Sequence, residues 1–331
     1  MSGTQTPERP SPSSDGRLLI CNIGRLGDTI LSNSILDSAF RTYATVDYLG
    51  CNNNAELLQS DYRLNRVIVL RNSLPGFADV LQAALRPRYD GFIGLKDTHS
   101  TTNLILARLF RSKVKTGWNG DRFRPFDRDV RSVNAPHLHK VDMMRRIGQL
   151  AGLEAGEYKP SLVLASDSIK WFRRSYVWDK PFIFLNLSAT HANRIWPVEH
   201  WAAYVRGCGL VEESILVSGV PGDRKMVHQL SQKLPRSVVF QPRKFMDVAA
   251  AIADARLVLT VDTGVVHACS ALNRPIVAFY CGGSSGIRIG PLSTRRLVIE
   301  APPGHVVPEI DPAQAIAETQ PWLALTSPQG N

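Results

Sequence analysis

The sequence predicts an α/β fold made of two doubly wound domains, each with a parallel sheet. Short apolar runs alternate with helix-period patterns along the 331 residues, which is typical of parallel strands covered by helices. The same alternation occurs twice, with about 165 residues in each copy, which suits one such domain. A chain of this length is also too long for one ordinary hydrophobic core.

The first 16 residues carry almost no apolar side chains, so burial cannot offset the entropy of ordering them. We therefore expect a disordered tail over residues 1–16. The tail lacks the apolar core of a secretory signal, and no apolar run approaches the roughly 20 residues needed to cross a bilayer. The five cysteines are scattered and odd in number, which fits a reducing compartment better than a disulfide framework. These features predict a cytoplasmic protein.

The first domain is predicted over residues 17–167. Apolar runs bounded by turn residues predict its strands at Arg17–Ile23, Thr45–Gly50, Val67–Leu70, Gly91–Leu95 and Val114–Gly117. Helix-period spacing predicts helices at Thr29–Thr42, Phe77–Leu85, Thr101–Phe110 and His139–Leu153. Glycines and a proline in "AGLEAGEYKP" close this half.

A helical linker is predicted over residues 168–178, and the second domain over residues 179–325. Its predicted strands are Pro181–Ser188, Ser214–Ser218, Val238–Pro242, Arg256–Asp262 and Pro275–Tyr280. Its predicted helices are Val198–Cys208, Asp223–Leu234, Met246–Ala253, Val265–Leu272 and Pro312–Ala324. Because ligands bind beyond the carboxyl ends of parallel strands, the loops after these strands are the candidate sites.

The most informative loop is in "LVLTVDTGVVHACSALNRP", where a helix begins immediately after Asp262 and Thr263. The first amides of a helix have no internal partners, and the helix dipole is positive there. Gly264 leaves the backbone accessible and Thr263 adds a hydroxyl, which suits a diphosphate. His267 lies one turn further along. A plain alternative is a helix capped by Asp262 or Thr263.

A second loop, "NLSATHANRIWPVEHW", places the hydroxyls of Ser188 and Thr190 before Arg194. An arginine can bind a phosphate through two parallel hydrogen bonds. The alternative makes Arg194 an ordinary surface residue. We interpret Trp196 as a core anchor.

The third loop, "GRLGD", contains two glycines that permit tight turns and ends at Asp28. Asp28 either faces a ligand or simply caps the following helix.

The chain has a formal net charge of +10, and half of this surplus lies in residues 108–131, which carry eight basic and three acidic side chains. This surplus favours an anionic partner such as phosphate, nucleic acid or an acidic lipid headgroup, unless the stretch is only a solvated loop.

Together, "GRLGDTILSNSIL", "RIWPVEHW" and "DTGVVHACSALNRPIVAFY" resemble the bacterial heptosyltransferases of glycosyltransferase family 9. The resemblance covers roughly residues 17–325 in order and spacing. It implies a GT-B fold, in which two Rossmann-like domains face each other across a cleft. It also implies an inverting, metal-independent transfer of a sugar, with ADP-heptose as the first candidate donor and no cofactor. The implied acceptor is a lipopolysaccharide core or related anionic glycolipid at the cytoplasmic face of the inner membrane.

The resemblance assigns roles to individual positions. Asp28 matches the proposed general base, and Gly27 lies beside it on the acceptor side. The implied donor contacts are Ser188, Thr190, Arg194, Asp223, Asp262, Thr263, Gly264 and His267. Arg122, Arg124 and Arg128 would then dock the anionic acceptor. Two ligand loops depart from the family pattern, at Arg25 and in "YCGGSSG".

Several other interpretations remain open. The string Asp127-Arg128-Asp129 is of the type that holds a divalent metal in other glycosyltransferases, and His137-x-His139 resembles half of a metal site. We interpret the two histidines as surface or capping residues.

Other classes of protein are also possible. A non-catalytic nucleotide-sugar-binding protein would keep the same pocket. An oxidoreductase is disfavoured because G-x-G-x-x-G is absent after the first strand, and no nucleic-acid-binding motif accompanies the positive charge.

Overall fold

The computed structural model describes residues 8–85, 88–135, 137–178, 180–283 and 285–326. The chain divides into two compact units, Met1–Leu164 and Ala165–Asn331. Each unit contains a six-stranded sheet in which neighbouring strands run parallel. This arrangement confirms the predicted α/β fold class.

Unit 1 holds six strands and six α-helices among its described residues. The strands are β1 (Arg17–Cys21), β2 (Thr45–Cys51), β3 (Arg66–Leu70), β4 (Tyr89–Gly94), β5 (Ser112–Gly117) and β6 (Arg128–Asp129). The helices are α1 (Leu26–Ser32), α2 (Leu36–Thr42), α3 (Ala55–Gln59), α4 (Leu74–Ala84), α5 (Thr101–Leu109) and α6 (Lys140–Ala151). The strand order is β3-β2-β1-β4-β5-β6.

Unit 2 repeats this plan. Its strands are β7 (Ile183–Asn186), β8 (Ile215–Ser218), β9 (Ser237–Val239), β10 (Leu257–Val261), β11 (Ile276–Tyr280) and β12 (Arg296–Glu300). Its helices are α7 (Ser166–Ser175), α8 (Val198–Gly207), α9 (Arg224–Lys233), α10 (Phe245–Asp254), α11 (Gly264–Ala271), α12 (Ser285–Ile289) and α13 (Pro312–Thr326). The strand order is β12-β11-β10-β7-β8-β9.

Both sheets reverse their winding direction at one point, between β1 and β4 in unit 1 and between β7 and β10 in unit 2. Helices that connect strands on either side of such a point cover opposite faces of the sheet. A crevice therefore opens beyond the carboxyl ends of the two central strands, which is where open parallel sheets bind ligands.

The central strands are apolar because both of their faces are covered. All five residues of β10 are buried, and so are four of the five in β1. Trp196 lies in the core of unit 2, as its sequence context predicts: its Nε1 donates to the carbonyl of Ile310 (3.1 Å), and its ring packs on Phe279. Buried Cys21 and Cys269 fit their interpretation as small core residues.

Some elements differ from the sequence-based prediction. The helix predicted at Thr29–Thr42 is divided into α1 and α2 by a 3₁₀ turn at Asn33–Ile35. The short elements α3, β6, α12 and β12 were not predicted, because segments of two to five residues carry too little hydrophobic periodicity.

The division between the units falls at Leu164, three residues before the predicted end of the first domain. Most of the predicted linker is α7, which belongs to unit 2 because buried Phe172 packs against Tyr176 and Phe182. The predicted tail also differs over its described residues, since the amide of Ser13 donates to the carbonyl of Arg41 (2.6 Å).

Candidate functional site

In unit 1, Asp28 follows the carboxyl end of β1, at the point where the sheet reverses direction. Helix α1 begins at Leu26 with Arg25 as its N-cap residue, so the alternative that Asp28 caps this helix is wrong. Asp28 instead lies exposed in the first turn. Within the described residues, its carboxylate has no hydrogen-bond or ion-pair partner. This free carboxylate at a strand end can accept a proton from a bound hydroxyl.

Asn54, which the sequence analysis did not single out, fixes the loop that leads to Asp28. Its fully buried side chain donates from Nδ2 to the carbonyl of Asn22 (2.9 Å) and to Oγ1 of Thr29 (2.9 Å). Its Oδ1 accepts the amide of Cys51 (2.8 Å). One amide group therefore ties the ends of β1 and β2 to the start of α1. Asn54 is the last of three consecutive asparagines, and nothing in the sequence distinguished it from Asn52 and Asn53.

Lys96 is a second residue that the sequence analysis missed. It is half-buried just beyond the carboxyl end of β4, on the other side of the reversal point from Asp28. Its charge lies near Cys21 at the end of β1, where it opposes the rise that burial causes in the pKa of that thiol. The next residue, Asp97, is paired with Lys140 (2.9 Å). The position of Lys96 directly after an apolar strand was the available signal.

The predicted acceptor arginines fall into two groups. Arg122 and Arg124 are exposed in the loop after β5, at the same edge of the sheet as Asp28. The buried Asn119 side chain closes this loop, because it donates to the carbonyl of Phe126 (3.0 Å) and accepts its amide (3.1 Å). Both arginine side chains are thus available to an anionic ligand.

Arg128 has a different position, in β6, and its predicted acceptor contact stays a prediction. Its Nη1 donates to the carbonyl of Leu150 (2.9 Å) in the last turn of α6. The same helix ends at Gly152, in the left-handed conformation at φ 75°. A cation that binds the last carbonyls of a helix stabilises its negative end, so Arg128 caps α6.

In unit 2, Thr263 and Gly264 follow β10 directly and begin α11. Thr263 is the N-cap residue, and its hydroxyl accepts the amide of Val265 (3.2 Å). Within the described part of the chain, the amides of Thr263 and Gly264 meet no protein acceptor. The helix start therefore offers two unpaired donors and the positive end of a dipole, as an anion site requires.

Arg194 and Asp262 meet across the reversal point of the second sheet. Arg194 lies in the loop after β7, and its Nη1 is 2.9 Å from Oδ2 of Asp262, which follows β10. Asp262 is only 4% exposed. Burial raises the pKa of Asp262 above its ordinary value, and the charges of Arg194 and His191 oppose this rise. The pair brings together two predicted donor residues that are 68 positions apart in the chain.

Ser188 and Asp223 also form a pair, at the ends of β7 and β8. The Ser188 hydroxyl donates to Oδ2 of Asp223 (2.6 Å) and accepts the amide of Val220 (2.6 Å). Thr190 is exposed in the same loop as Arg194, whereas His267 is buried in the first turn of α11. The predicted donor residues thus gather beyond three adjacent strands, β10, β7 and β8.

The residues of the possible metal sites have protein partners. Asp127 accepts the amide of Lys115 (2.7 Å), and Asp129 accepts two hydrogen bonds from the Arg131 guanidinium (2.9 and 2.7 Å). The ring of His139 accepts the amide of Val141 (3.2 Å) and caps α6, as interpreted from the sequence. Over the described ranges, no three His, Cys, Asp or Glu side chains are grouped for metal binding.

Comparison with known proteins gives a consistent result. Residues 80–310 match the family described as Glycosyltransferase family 9 (heptosyltransferase). Lipopolysaccharide heptosyltransferase 1 of Escherichia coli strain K12 is 29% identical over 129 residues, which span 38% of this chain and only 39% of that relative. None of the helices in the described ranges is both long enough and apolar enough to cross a membrane.

Two solved structures share the fold. The family 9 glycosyl transferase from Veillonella parvula DSM 2008 has a TM-score of 0.76 at 19% identity, covering 94% of this chain and 98% of that one. E. coli heptosyltransferase WaaC with ADP has a TM-score of 0.74 at 20% identity, covering 92% and 99%. At such identities the likeness concerns the fold, while the family match covers most of the sequence. The chain belongs to glycosyltransferase family 9, the heptosyltransferase family.

Proposed function

We propose that this protein is an inverting glycosyltransferase that moves a heptose from ADP-heptose to an anionic glycan of the lipopolysaccharide core type. The observation that carries the proposal is the free, exposed carboxylate of Asp28 at the reversal point of the first sheet. A carboxylate in this position suits a general base, which needs access to a substrate hydroxyl.

The donor diphosphate would bind to unit 2. The amides of Thr263 and Gly264 and the dipole of α11 supply positive potential, and Arg194 adds a full charge. A guanidinium has five N–H donors, so the contact of Arg194 with Asp262 leaves others for a phosphate. The same Asp262 contact holds the Arg194 side chain in place before the donor arrives.

In the proposed step, Asp28 takes the proton of an acceptor hydroxyl while that oxygen attacks the anomeric carbon. The new oxygen–carbon bond forms as the bond from that carbon to the diphosphate breaks, so ADP leaves with the bonding electrons. Attack from the face opposite the leaving group inverts the configuration. The amides and Arg194 stabilise the negative charge that develops on the diphosphate.

The proposal of an anionic acceptor is supported by cations that lie at the same edge of the unit 1 sheet as Asp28. Lys96 lies at the end of β4, and Arg122 and Arg124 are exposed in the loop after β5. Such a group attracts phosphates and acidic sugars. We place the reaction at the cytoplasmic face of the inner membrane, where a lipid-linked acceptor of this kind would be presented.

We also propose that the reaction needs no divalent metal. Arg194 and the helix start can neutralise the leaving group, and the carboxylates of Asp127 and Asp129 already accept protein hydrogen bonds. Transfer at an undiminished rate in EDTA would agree with this. A rate that falls with chelation and returns with Mg²⁺ would contradict it.

The decisive variant is Asp28→Asn, which keeps the shape of the side chain and removes the base. We expect the rate of transfer from ADP-heptose to fall by about 10²–10⁴-fold. Donor binding, measured as a thermal shift with ADP, should remain. The matched control is Asp142→Asn, because Asp142 is also an acid in the first turn of a unit 1 helix.

Two outcomes would contradict the proposal. Normal turnover by Asp28→Asn would remove Asp28 from the mechanism. Strong ADP-heptose binding by the wild type, with no transfer to any anionic glycan, would indicate a nucleotide-sugar-binding protein instead.

A further inference from the structure

The outer face of α4 carries an apolar surface that the proposed reaction does not use. Phe77, Leu81 and Leu85 are spaced four residues apart and are 49%, 39% and 86% exposed. Residues with this spacing lie on one side of a helix, on successive turns. We call these three residues the α4 stripe. The adjoining side of the helix, with Val80 and Ala84, packs into the core of unit 1.

The next helix along the chain, α5, carries a further exposed apolar side chain. Its inner residues Leu104 and Ala107 belong to the same core cluster as the inner residues of α4, so both helices cover one face of the sheet. Ile105 points away from that core and is 54% exposed. Exposed large apolar side chains that gather on one face usually mark an interaction surface.

Basic side chains flank the stripe at its C-terminal end. Arg88 is exposed three residues after Leu85, and Arg108 is exposed in the last turn of α5. Burial lowers the pKa of the Lys115 ammonium, and the charges of Arg108 and Arg88 lower it further against the opposing effect of Asp127. These three cations therefore lie near one another.

We propose that the α4 stripe docks this protein onto an anionic lipid bilayer. Apolar side chains that enter the interface, together with cations that meet acidic headgroups, are the two requirements for such binding. Helix α4 contains one acidic residue, Asp79, against the three cations at the end of the stripe. The net charge beside the stripe is therefore positive. Acidic headgroups complement the charges of Arg88, Arg108 and Lys115, and this charge complementarity favours a bilayer as the occupant of this face.

This inference deepens the proposed function and rests on it for its purpose, which is access to a glycolipid acceptor. The binding itself requires no sugar donor. It is therefore measured with the full chain and lipid vesicles alone, by co-sedimentation with vesicles of phosphatidylcholine and with vesicles that also contain phosphatidylglycerol. We expect binding only to the vesicles that contain phosphatidylglycerol.

Two sets of variants separate the apolar and the charged contributions. Replacement of the stripe by Phe77→Ser, Leu81→Ser and Leu85→Ser should weaken vesicle binding by at least about tenfold. Arg88→Gln and Arg108→Gln should each weaken it by about fivefold. The matched control is Val177→Ser, Val238→Ser and Leu325→Ser, which replaces three exposed apolar residues of unit 2 and should bind as the wild type does.

The proposal is overturned if the stripe variant binds vesicles as well as the control does. It is also overturned if the stripe variant changes only the oligomeric mass in size-exclusion chromatography, because the face would then belong to a contact between copies. Transfer to a soluble acceptor fragment is assayed separately. Normal Asp28-dependent transfer without vesicle binding would refute the docking surface and leave the proposed function intact.

Discussion

At the residue scale, the charged side chains of this protein divide into those held by protein partners and those left free for ligands. Asp28 and Arg124 are free and exposed at one edge of the first sheet, whereas Arg128 and Asp129 are held by protein groups. Arg124, in the loop before β6, and Arg128, in β6, thus differ in their partners although they lie only four positions apart. Hydrogen-bond partners, rather than residue type, separate the two groups.

Asp247 gives a residue-scale prediction about pH. Its carboxylate, fully buried, accepts hydrogen bonds from the Arg243 side chain (2.9 and 2.8 Å) and amide (3.0 Å). Burial alone would raise the pKa of Asp247, but the hydrogen bonds from Arg243 outweigh burial and hold the pKa below its ordinary value of 3.8. We expect Asp247→Asn to lower the free energy of unfolding at pH 7 by about 1–3 kcal/mol.

The difference between wild type and Asp247→Asn should depend on pH in one direction. A carboxylate whose pKa is lowered by folding contributes stability above its unfolded pKa and loses it as pH falls through the folded pKa. The gap, measured by urea unfolding, should therefore be full at pH 7 and close as the pH falls below 3.8 and through the lowered pKa of Asp247. Asp121→Asn, at a 99% exposed ion-pair side chain, is the control and should show little change. A gap that persists unchanged at low pH would show that the ionised form of Asp247 is not what stabilises the fold.

At the element scale, one buried amide joins three elements around the candidate base. Asn54 links the end of β1, the end of β2 and the start of α1. Gly50 makes room for it, because a Cβ at that position would lie 2.5 Å from Oδ1 of Asn54. The position of the Asp28 loop therefore depends on the contacts of Asn54.

We predict that Asn54→Ala lowers the free energy of unfolding by about 1–3 kcal/mol for each polar group that it leaves buried and unpaired. Gly50→Ala should act in the same direction by displacing the amide. The sugar-transfer rate should fall in both variants while ADP binding to unit 2 remains. Urea unfolding and a transfer assay measure the two effects, with the exposed neighbour Asn53→Ala as the control. Wild-type stability in Asn54→Ala would show that the three contacts are not needed.

At the scale of the whole molecule, each unit has its own sheet and core, and α7 decides where the second unit begins. Phe172 of α7 packs against Phe182 and Phe240, and Trp171 packs against Phe240 and under the guanidinium of Arg243. Helix α7 therefore contributes core side chains to unit 2. A fragment without it would expose part of that core to water.

We predict that a fragment of residues 165–331 unfolds cooperatively, whereas one of residues 179–331 does not. Only the longer fragment keeps the aromatic contacts of α7, and losing a buried phenylalanine from a core costs about 3–5 kcal/mol. Thermal unfolding followed by circular dichroism distinguishes the two fragments. Equal melting temperatures would place the boundary after α7, as the sequence alone suggested.

The sequence was informative wherever the physical signal was local. Continuous apolar runs marked the buried strands, and glycine with a polar residue after β10 marked the start of α11. The contact between Arg194 and Asp262 had no such signal, because it depends on β7 and β10 lying side by side. The capping role of Arg128 was missed for the same reason, since its partner Leu150 lies 22 residues away.

The sequence by itself determined the α/β class, the two-fold repetition of the plan and the loops that carry Asp28, Thr263 and Gly264. Periodicity and helix-start chemistry act over a few neighbouring residues, so they can be read from the chain directly. Only the tertiary structure decided that Asp28 does not cap α1 and has a free carboxylate. It also decided that Asn54 fixes the loop before Asp28 and that the α4 stripe is exposed. Burial and pairing depend on which distant segments the parallel sheets bring together, and no local pattern encodes that.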